Sequence, residues 1–182
     1  LTSETIRRQA DFPYSVPAPG RRTRGFIMVQ DGCDSFCSYC IIPHIRGKPK
    51  SRPLKEIITE AELQVQAGCP ELVLTGIHTG SYGKDLDSHL SLSDVITALL
   101  ELDGLFRIRL SSIEVREITS PLIDLIAGES RICPHIPVPL QSGSDRILSL
   151  MNRNYTASQY LDKVEEIRSE IPVGAVTTDI IC

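Results

Sequence analysis

Short apolar runs alternate along this chain with longer stretches in which apolar residues return every third or fourth position. The run at 26–29 (Phe26, Ile27, Met28, Val29) is bounded by turn formers and reads as a buried strand. Pro53 suits the first turn of a helix whose face carries Leu54, Ile57, Ile58, Ala61 and Val65, and Gly68 stops it. Residues 71–75 form a second strand. Ser91 and Asp94 make a capping box for a helix that buries Leu92, Val95, Ile96, Leu99 and Leu102 and ends at Asp103-Gly104. Residues 106–110 alternate as a third strand. Ser120-Pro121 starts a helix packed through Leu122, Leu125 and Ile126. A fourth strand falls near 135–139, against the propensity of Pro134, Pro137 and Pro139. A short helix spans about 145–151. Thr156 and Gln159 cap a helix reaching about Ser169, with Tyr160, Leu161, Val164 and Ile167 inward. Residues 173–181 form a fifth strand.

Strand and helix alternate throughout, and each strand-to-strand connection is long enough for a crossover. The fold class is therefore α/β, with about five parallel strands and helices outside them. Residues 1–24 are polar and rich in Pro (Pro13, Pro17, Pro19), and read as a linker with a short helical turn at 3–9. The remaining 25–182 form one domain.

Composition adds exclusions. With 182 residues, 41% hydrophobic and 23% charged, the chain is an ordinary globular one. No apolar run has the length of a membrane span, and no secretion signal opens the chain, so no membrane partner is expected. Three of six cysteines crowd into eight residues, which points away from a disulfide framework and towards a reducing, cytoplasmic compartment. The net charge is −4, yet Arg21, Arg22, Arg24, Arg46, Lys48, Lys50 and Arg52 face only Asp31 and Asp34 in the stretch from 21 to 52. A basic rim of this kind suits an anionic cofactor or an RNA backbone, and equally a solvated loop.

The chemistry centres on that stretch. Cys33, Cys37 and Cys40 have the spacing C-x3-C-x2-C directly after the first strand. Three thiolates turned to one point hold an iron–sulfur cluster or a zinc ion. In a four-iron cubane, three cysteines leave one iron open. Zinc would need a fourth ligand, either His44 or a distant cysteine. In parallel βα arrays, ligands bind at the carboxyl ends of strands. Those ends carry the cysteines, then Thr75, Gly76, His78, Thr79, Ser81 and Tyr82, then Ser111, Ser112 and Glu114, then Gln141, Ser142 and Ser144, then Thr177, Thr178 and Asp179. Five polar strand ends beside a metal-type loop point to one composite site. His44 and His135 read as structural, and Cys69 and Cys133 as core thiols. Glu114 has Arg107, Arg109 and Arg116 as candidate ion-pair partners.

C-x3-C-x-Tyr39-Cys40 resembles the radical S-adenosylmethionine signature. The flanks Val29-Gln30-Asp31-Gly32-Cys33 and Cys40-Ile41-Ile42-Pro43-His44-Ile45-Arg46-Gly47 are similar to those of methylthiotransferases, as are Arg109-Leu110-Ser111-Ser112-Ile113-Glu114 and Pro139-Leu140-Gln141-Ser142-Gly143-Ser144-Asp145. The run from Leu74 to Gly83 (Leu-Thr-Gly-Ile-His-Thr-Gly-Ser-Tyr-Gly) resembles the branch acting on threonylcarbamoyladenosine beside the tRNA anticodon. The resemblance implies a partial (β/α) barrel, truncated at its C-terminus and preceded by a domain carrying a second cluster. It implies a [4Fe-4S] cluster on Cys33, Cys37 and Cys40, with S-adenosylmethionine on the open iron, cleaved to a 5′-deoxyadenosyl radical by an electron from a donor. Tyr39, Thr75, Gly76, His78, Ser112, Glu114 and Gln141 become candidate cofactor contacts, Arg46 and Arg24 candidate substrate contacts, and the tRNA anticodon stem-loop the partner.

Two positions depart from the family pattern: Val115 stands where Pro is usual, and Pro137 where a second His is usual. Other readings stay open: a methylthiotransferase acting on isopentenyladenosine in tRNA or on a ribosomal-protein aspartate, or a non-catalytic zinc module.

Overall fold

A computed structural model describes residues 23–87 and 90–181. The linker and the turn at 3–9, Arg21 and Arg22, and Cys182 therefore fall wholly or almost wholly outside the described residues. Strand β1 (Gly25–Asp31) is followed by the short helix α1 (Ile42–Ile45) and the two-residue strand β2 (Lys50–Ser51). Then come helix α2 (Leu54–Gln66), β3 (Glu71–Gly76), α3 (Leu92–Leu100), β4 (Arg107–Leu110), α4 (Ser120–Gly128), β5 (His135–Pro137), α5 (Asp145–Leu150), α6 (Ala157–Glu170) and β6 (Ala175–Thr177). No helix among the described residues is long and apolar enough to cross a membrane.

The strands β1, β3 and β4 are parallel, with β3 in the middle. The sheet continues past β4 by backbone bonds. Ile108 N donates to Arg131 O at 2.7 Å, Cys133 N to Ile108 O at 2.8 Å, and Ile113 N to Pro137 O at 3.0 Å. β5 then pairs parallel with β6. β5 and β6 are thus a separate two-stranded sheet joined to β4 by these isolated bonds, and the five parallel strands follow the order β1, β3, β4, β5, β6. Ile27, Leu72, Leu74, Ile108, Leu110 and Ile136 form the strand side of the core. Ile57, Val95, Ile96, Leu99, Leu122, Ile123 and Ile167 cover it from the helices.

Several expectations change. The sheet is not purely parallel, because β2 lies antiparallel on the end of β1. α2 buries Glu60 and Gln64 with Ile57 and Ala61, while Ile58 and Val65 are only half-buried. The polar pair works at the edge of β1. Arg52, held by Glu60 at 2.7 Å, donates to Met28 O at 2.7 Å, and Gln64 donates to Phe26 O. Leu161 is 58% exposed rather than inward. The strand expected over 173–181 shrinks to β6. At its start, Gly174 N turns back to Ile171 O. At its end, Leu140 N bonds the Thr178 side chain instead of a backbone carbonyl, which interrupts the ladder before it resumes at the isolated bridge between Gln141 and Ile180.

Candidate functional site

The cysteine loop leaves β1 through Gly32, whose φ is +74°. A Cβ there would sit 2.2 Å from Lys48 O, so only glycine lets the two legs of the loop close. Cys33 N donates to Gly47 O and Cys40 N to Cys37 O, fixing the loop at its mouth and tip. Cys33, Cys37 and Cys40 are partly buried free thiols. Among the described residues, no three His, Cys, Asp or Glu side chains converge as one metal ion requires. His44 instead meets the Phe36 ring edge-on at 5.7 Å. Three free thiols on one loop, with no fourth donor assembled, fit a group that takes one thiolate at each of three metal atoms better than a single four-coordinate ion.

The run from Gly76 to Gly83 packs against this loop, and most of its residues have a visible reason. A Cβ at Gly76 would lie 2.8 Å from Gln30 O. Gln30 is fully buried; its amide donates to Asp31 O and Gly32 O and its oxygen accepts from His78 N at 2.7 Å. His78 Nδ1 stands 3.6 Å from Cys33 Sγ, and its Nε2 is 2.9 Å from Glu117 Oε2. Lys84 reaches the other oxygen of Glu117 at 2.5 Å. Burial opposes ionisation of Glu117, but His78 and Lys84 more than offset it and hold the carboxyl below its ordinary range. Thr79 and Ser111 hydroxyls meet at 3.1 Å.

A third wall comes from the segment between α5 and α6. Ser38 N donates to Met151 O at 3.1 Å, and the Asn152 amide donates to both Ser35 O and Phe36 O at 3.0 Å. Arg153 donates to Cys37 Sγ at 3.3 Å and pairs with Glu114. Its guanidinium lies over the Tyr155 ring at 5.2 Å. Burial works against the Arg153 charge, yet Glu114 and its hydrogen bonds raise its pKa further. Partial burial pushes Tyr39 up to about 12, with Arg153 pulling the other way. A cavity of about 300 Å³ opens between these walls. Ser35, Cys37, His78, Glu114, Glu117, Asn152, Arg153 and Tyr155 line it, with Lys84, Arg116 and Asn154.

The structure therefore brings Cys37, His78 and Glu114 to one cavity, with Cys33 against His78. Thr75 and Gly76 end β3 beside β1, paired with Met28 and Gln30. Ser112 is exposed, and it is Ser111 that engages Thr79. Gln141 adopts φ +66° and exchanges backbone bonds with Asp179 and Ile181, outside the cavity lining. Glu114 pairs with Arg153, not with Arg107, Arg109 or Arg116. Arg46 pins the loop through Asp31 at 3.1 Å. Arg24 is at the opposite end of the sheet, bound to Glu71 at 2.7 Å. His135 bridges Arg109 and Thr177, and Cys69 and Cys133 are buried. Asn152, Arg153, Tyr155 and Glu117 were not legible as site residues. The first three follow a helix rather than a strand end, and a run Asn-Arg-Asn-Tyr between two helices carries no pattern of its own. Val115 is buried, and Pro137 is in β5 opposite Thr177.

The model of the radical SAM superfamily matches residues 27–182. The chain is 39% identical over 178 residues to the tRNA-2-methylthio-N(6)-dimethylallyladenosine synthase of Syntrophotalea carbinolica, covering 98% of this chain and 40% of that protein. It is 41% identical over 167 residues to the threonylcarbamoyladenosine tRNA methylthiotransferase MtaB of Bacillus subtilis, covering 91% and 37%. The chain thus spans about two fifths of the length of these curated relatives. Among solved structures, the cobalamin-dependent S-adenosylmethionine radical enzyme OxsB superposes with a TM-score of 0.69 at 12% identity, over 86% of this chain and 23% of that one. The radical S-adenosylmethionine methyltransferase TsrM from Kitasatospora setae gives 0.66 at 16%, over 86% and 30%. These two show a shared fold.

Proposed function

The chain belongs to the radical SAM superfamily, and from that premise we propose that residues 25–182 are the catalytic core of a tRNA methylthiotransferase. The observation that carries this reading is the loop of Cys33, Cys37 and Cys40 at the carboxyl edge of a parallel sheet, opening on a polar cavity. Relatives with two different tRNA substrates share about the same identity with this chain. Between those substrates we favour the threonylcarbamoyl-modified adenosine next to the anticodon. The reading is supported by the run from Leu74 to Gly83, which resembles the branch acting on that nucleoside.

Cys33, Cys37 and Cys40 would hold a [4Fe-4S] cluster, which with S-adenosylmethionine supplies the one-electron chemistry. The chain's own residues do the rest. Glu114 and Arg153 offer opposite charges side by side for the amino and carboxylate groups of that cofactor. Tyr155 and Arg153 form a buried wall of the cavity, and burial strengthens the interactions of the Arg153 charge. Gln30 and Glu117 orient His78 beside Cys33. The tRNA anticodon stem-loop is the partner, with an electron donor and a second cluster from outside this core, in the cytoplasm.

The test is anaerobic reconstitution of the full-length protein with iron and sulfide, followed by electron paramagnetic resonance of the reduced cluster with and without S-adenosylmethionine. A [4Fe-4S] signal that shifts on adding the cofactor is expected. Cys37→Ala should abolish it, and an intact cluster in that variant would overturn the reading. For the substrate, the nucleoside profile of tRNA from a deletion strain should lack the methylthio form of threonylcarbamoyladenosine. Loss of methylthiolated isopentenyladenosine instead would transfer the assignment to that substrate.

A further inference from the structure

We propose that Asn152 is a positioning residue for the metal-binding loop, holding it in a strained conformation before any cluster arrives. The inference rests on the reading of Cys33, Cys37 and Cys40 as cluster ligands. It starts from a backbone outlier. Phe36, between the first and second of these cysteines, has φ +47°. A bulky aromatic residue in the left-handed region is costly, and such strain persists only where surroundings impose it.

The imposing contacts come from a segment more than a hundred residues away. The Asn152 amide donates to the carbonyls of Ser35 and Phe36, both at 3.0 Å, and so grips the strained peptide on both sides. Ser38 N is tied to Met151 O at 3.1 Å, immediately beyond it. Asn152 itself is left-handed, at φ +58°, a conformation Asn tolerates well. Its backbone bends so that the side chain reaches the loop while Arg153, next along, reaches Cys37 Sγ at 3.3 Å. The two Asn152 bonds and the Ser38–Met151 bond touch no thiol, and Arg153 alone of this segment meets a ligand sulfur, Cys37 Sγ.

The consequence is preorganisation. With the loop already bent, binding a cluster does not have to pay for ordering it, and the holding bonds reappear as a slower loss of iron. Asn152→Gly isolates the effect, because glycine keeps the left-handed backbone at 152 and removes only the amide. In the full-length protein reconstituted anaerobically, iron release to a ferrous chelator should quicken on the order of tenfold, the scale of two lost neutral hydrogen bonds. The resonance signal of the reduced cluster should broaden, as its ligands sample more than one arrangement. The melting temperature of the cluster-free protein should fall by only a few degrees, the scale of two lost hydrogen bonds and an added glycine.

Release and spectrum matching the wild type would overturn the proposal. So would release no faster than in a variant equally destabilised at a position remote from the loop, such as Thr156→Ala, since that marks a general loss of stability. Wild-type protein that takes up no cluster would overturn the underlying reading as well, so the two failures are distinct.

Discussion

At the scale of single residues, the site shows why a local motif is easy to read and its partners are not. Cys33, Cys37 and Cys40 are legible because everything that marks them lies within eight residues. Arg153 and Asn152 contact that loop across more than a hundred residues, and no spacing rule connects them. Gly80 is an intermediate case. A Cβ at that position would lie 2.5 Å from Glu117 Oε2 and 2.7 Å from Glu117 Cβ. The glycine is therefore the space Glu117 occupies while it holds His78. Gly80→Ala is expected to displace Glu117 and to cost about 1–3 kcal/mol, as overpacking of a full interior does, measured by urea denaturation. The displaced carboxyl loses the hydrogen bonds that depress its pKa, so its titration should move upward by nuclear magnetic resonance. An unchanged titration with unchanged stability would show that the space is not needed.

Elements are legible where their signals are local and fail where neighbours decide. The boxes at Ser91/Asp94 and Thr156/Gln159 both form as the spacing implies. In the second, Gln159 N donates to Thr156 Oγ1 at 3.2 Å and Thr156 N to Gln159 Oε1 at 2.9 Å. Thr156→Ala should therefore cost about 1 kcal/mol in chemical denaturation, and a neutral result would mean that tertiary packing alone sets the start of α6. The strand expected over 173–181 is split: β6 ends where the Thr178 side chain replaces a backbone carbonyl, and only a single bridge at Ile180 continues the pairing. β2 was missed, because two residues carry no periodicity; what makes them a strand is pairing with Gln30 and Asp31. Glu60 and Gln64 were missed on α2 because buried polar groups earn their place through β1 carbonyls that the helix sequence does not contain.

At the scale of the whole molecule, the sheet has two ends with different tasks. The carboxyl edge gathers the thiols, His78, Glu114 and Arg153. The amino edge gathers Arg24, Arg107 and Arg109 on one carboxylate, Glu71, which is 2% exposed. Hydrogen bonds from Arg109, opposed by burial and joined by Arg107, lower Glu71 from its ordinary 4.5 to about 2. A carboxyl with a depressed folded-state pKa contributes stability that is complete above its ordinary value. That contribution is lost as pH falls through the window from about 4.5 to about 2. Because Arg24 and Arg107 are more than half exposed, solvent weakens their share, and about 2–3 kcal/mol is the scale expected. Glu71→Gln should therefore lose about that much at neutral pH and show a shallower decline in acid, read from urea midpoints across the window. Its reconstituted cluster should give the wild-type resonance spectrum with S-adenosylmethionine. Glu114→Gln should weaken the cofactor-induced spectral shift, and because it leaves the buried Arg153 charge without its carboxylate it should also cost about 1–3 kcal/mol in urea denaturation. A spectrum altered by Glu71→Gln would mean that the two ends are coupled through β3 and β4, and that the site cannot be separated from the framework beneath it.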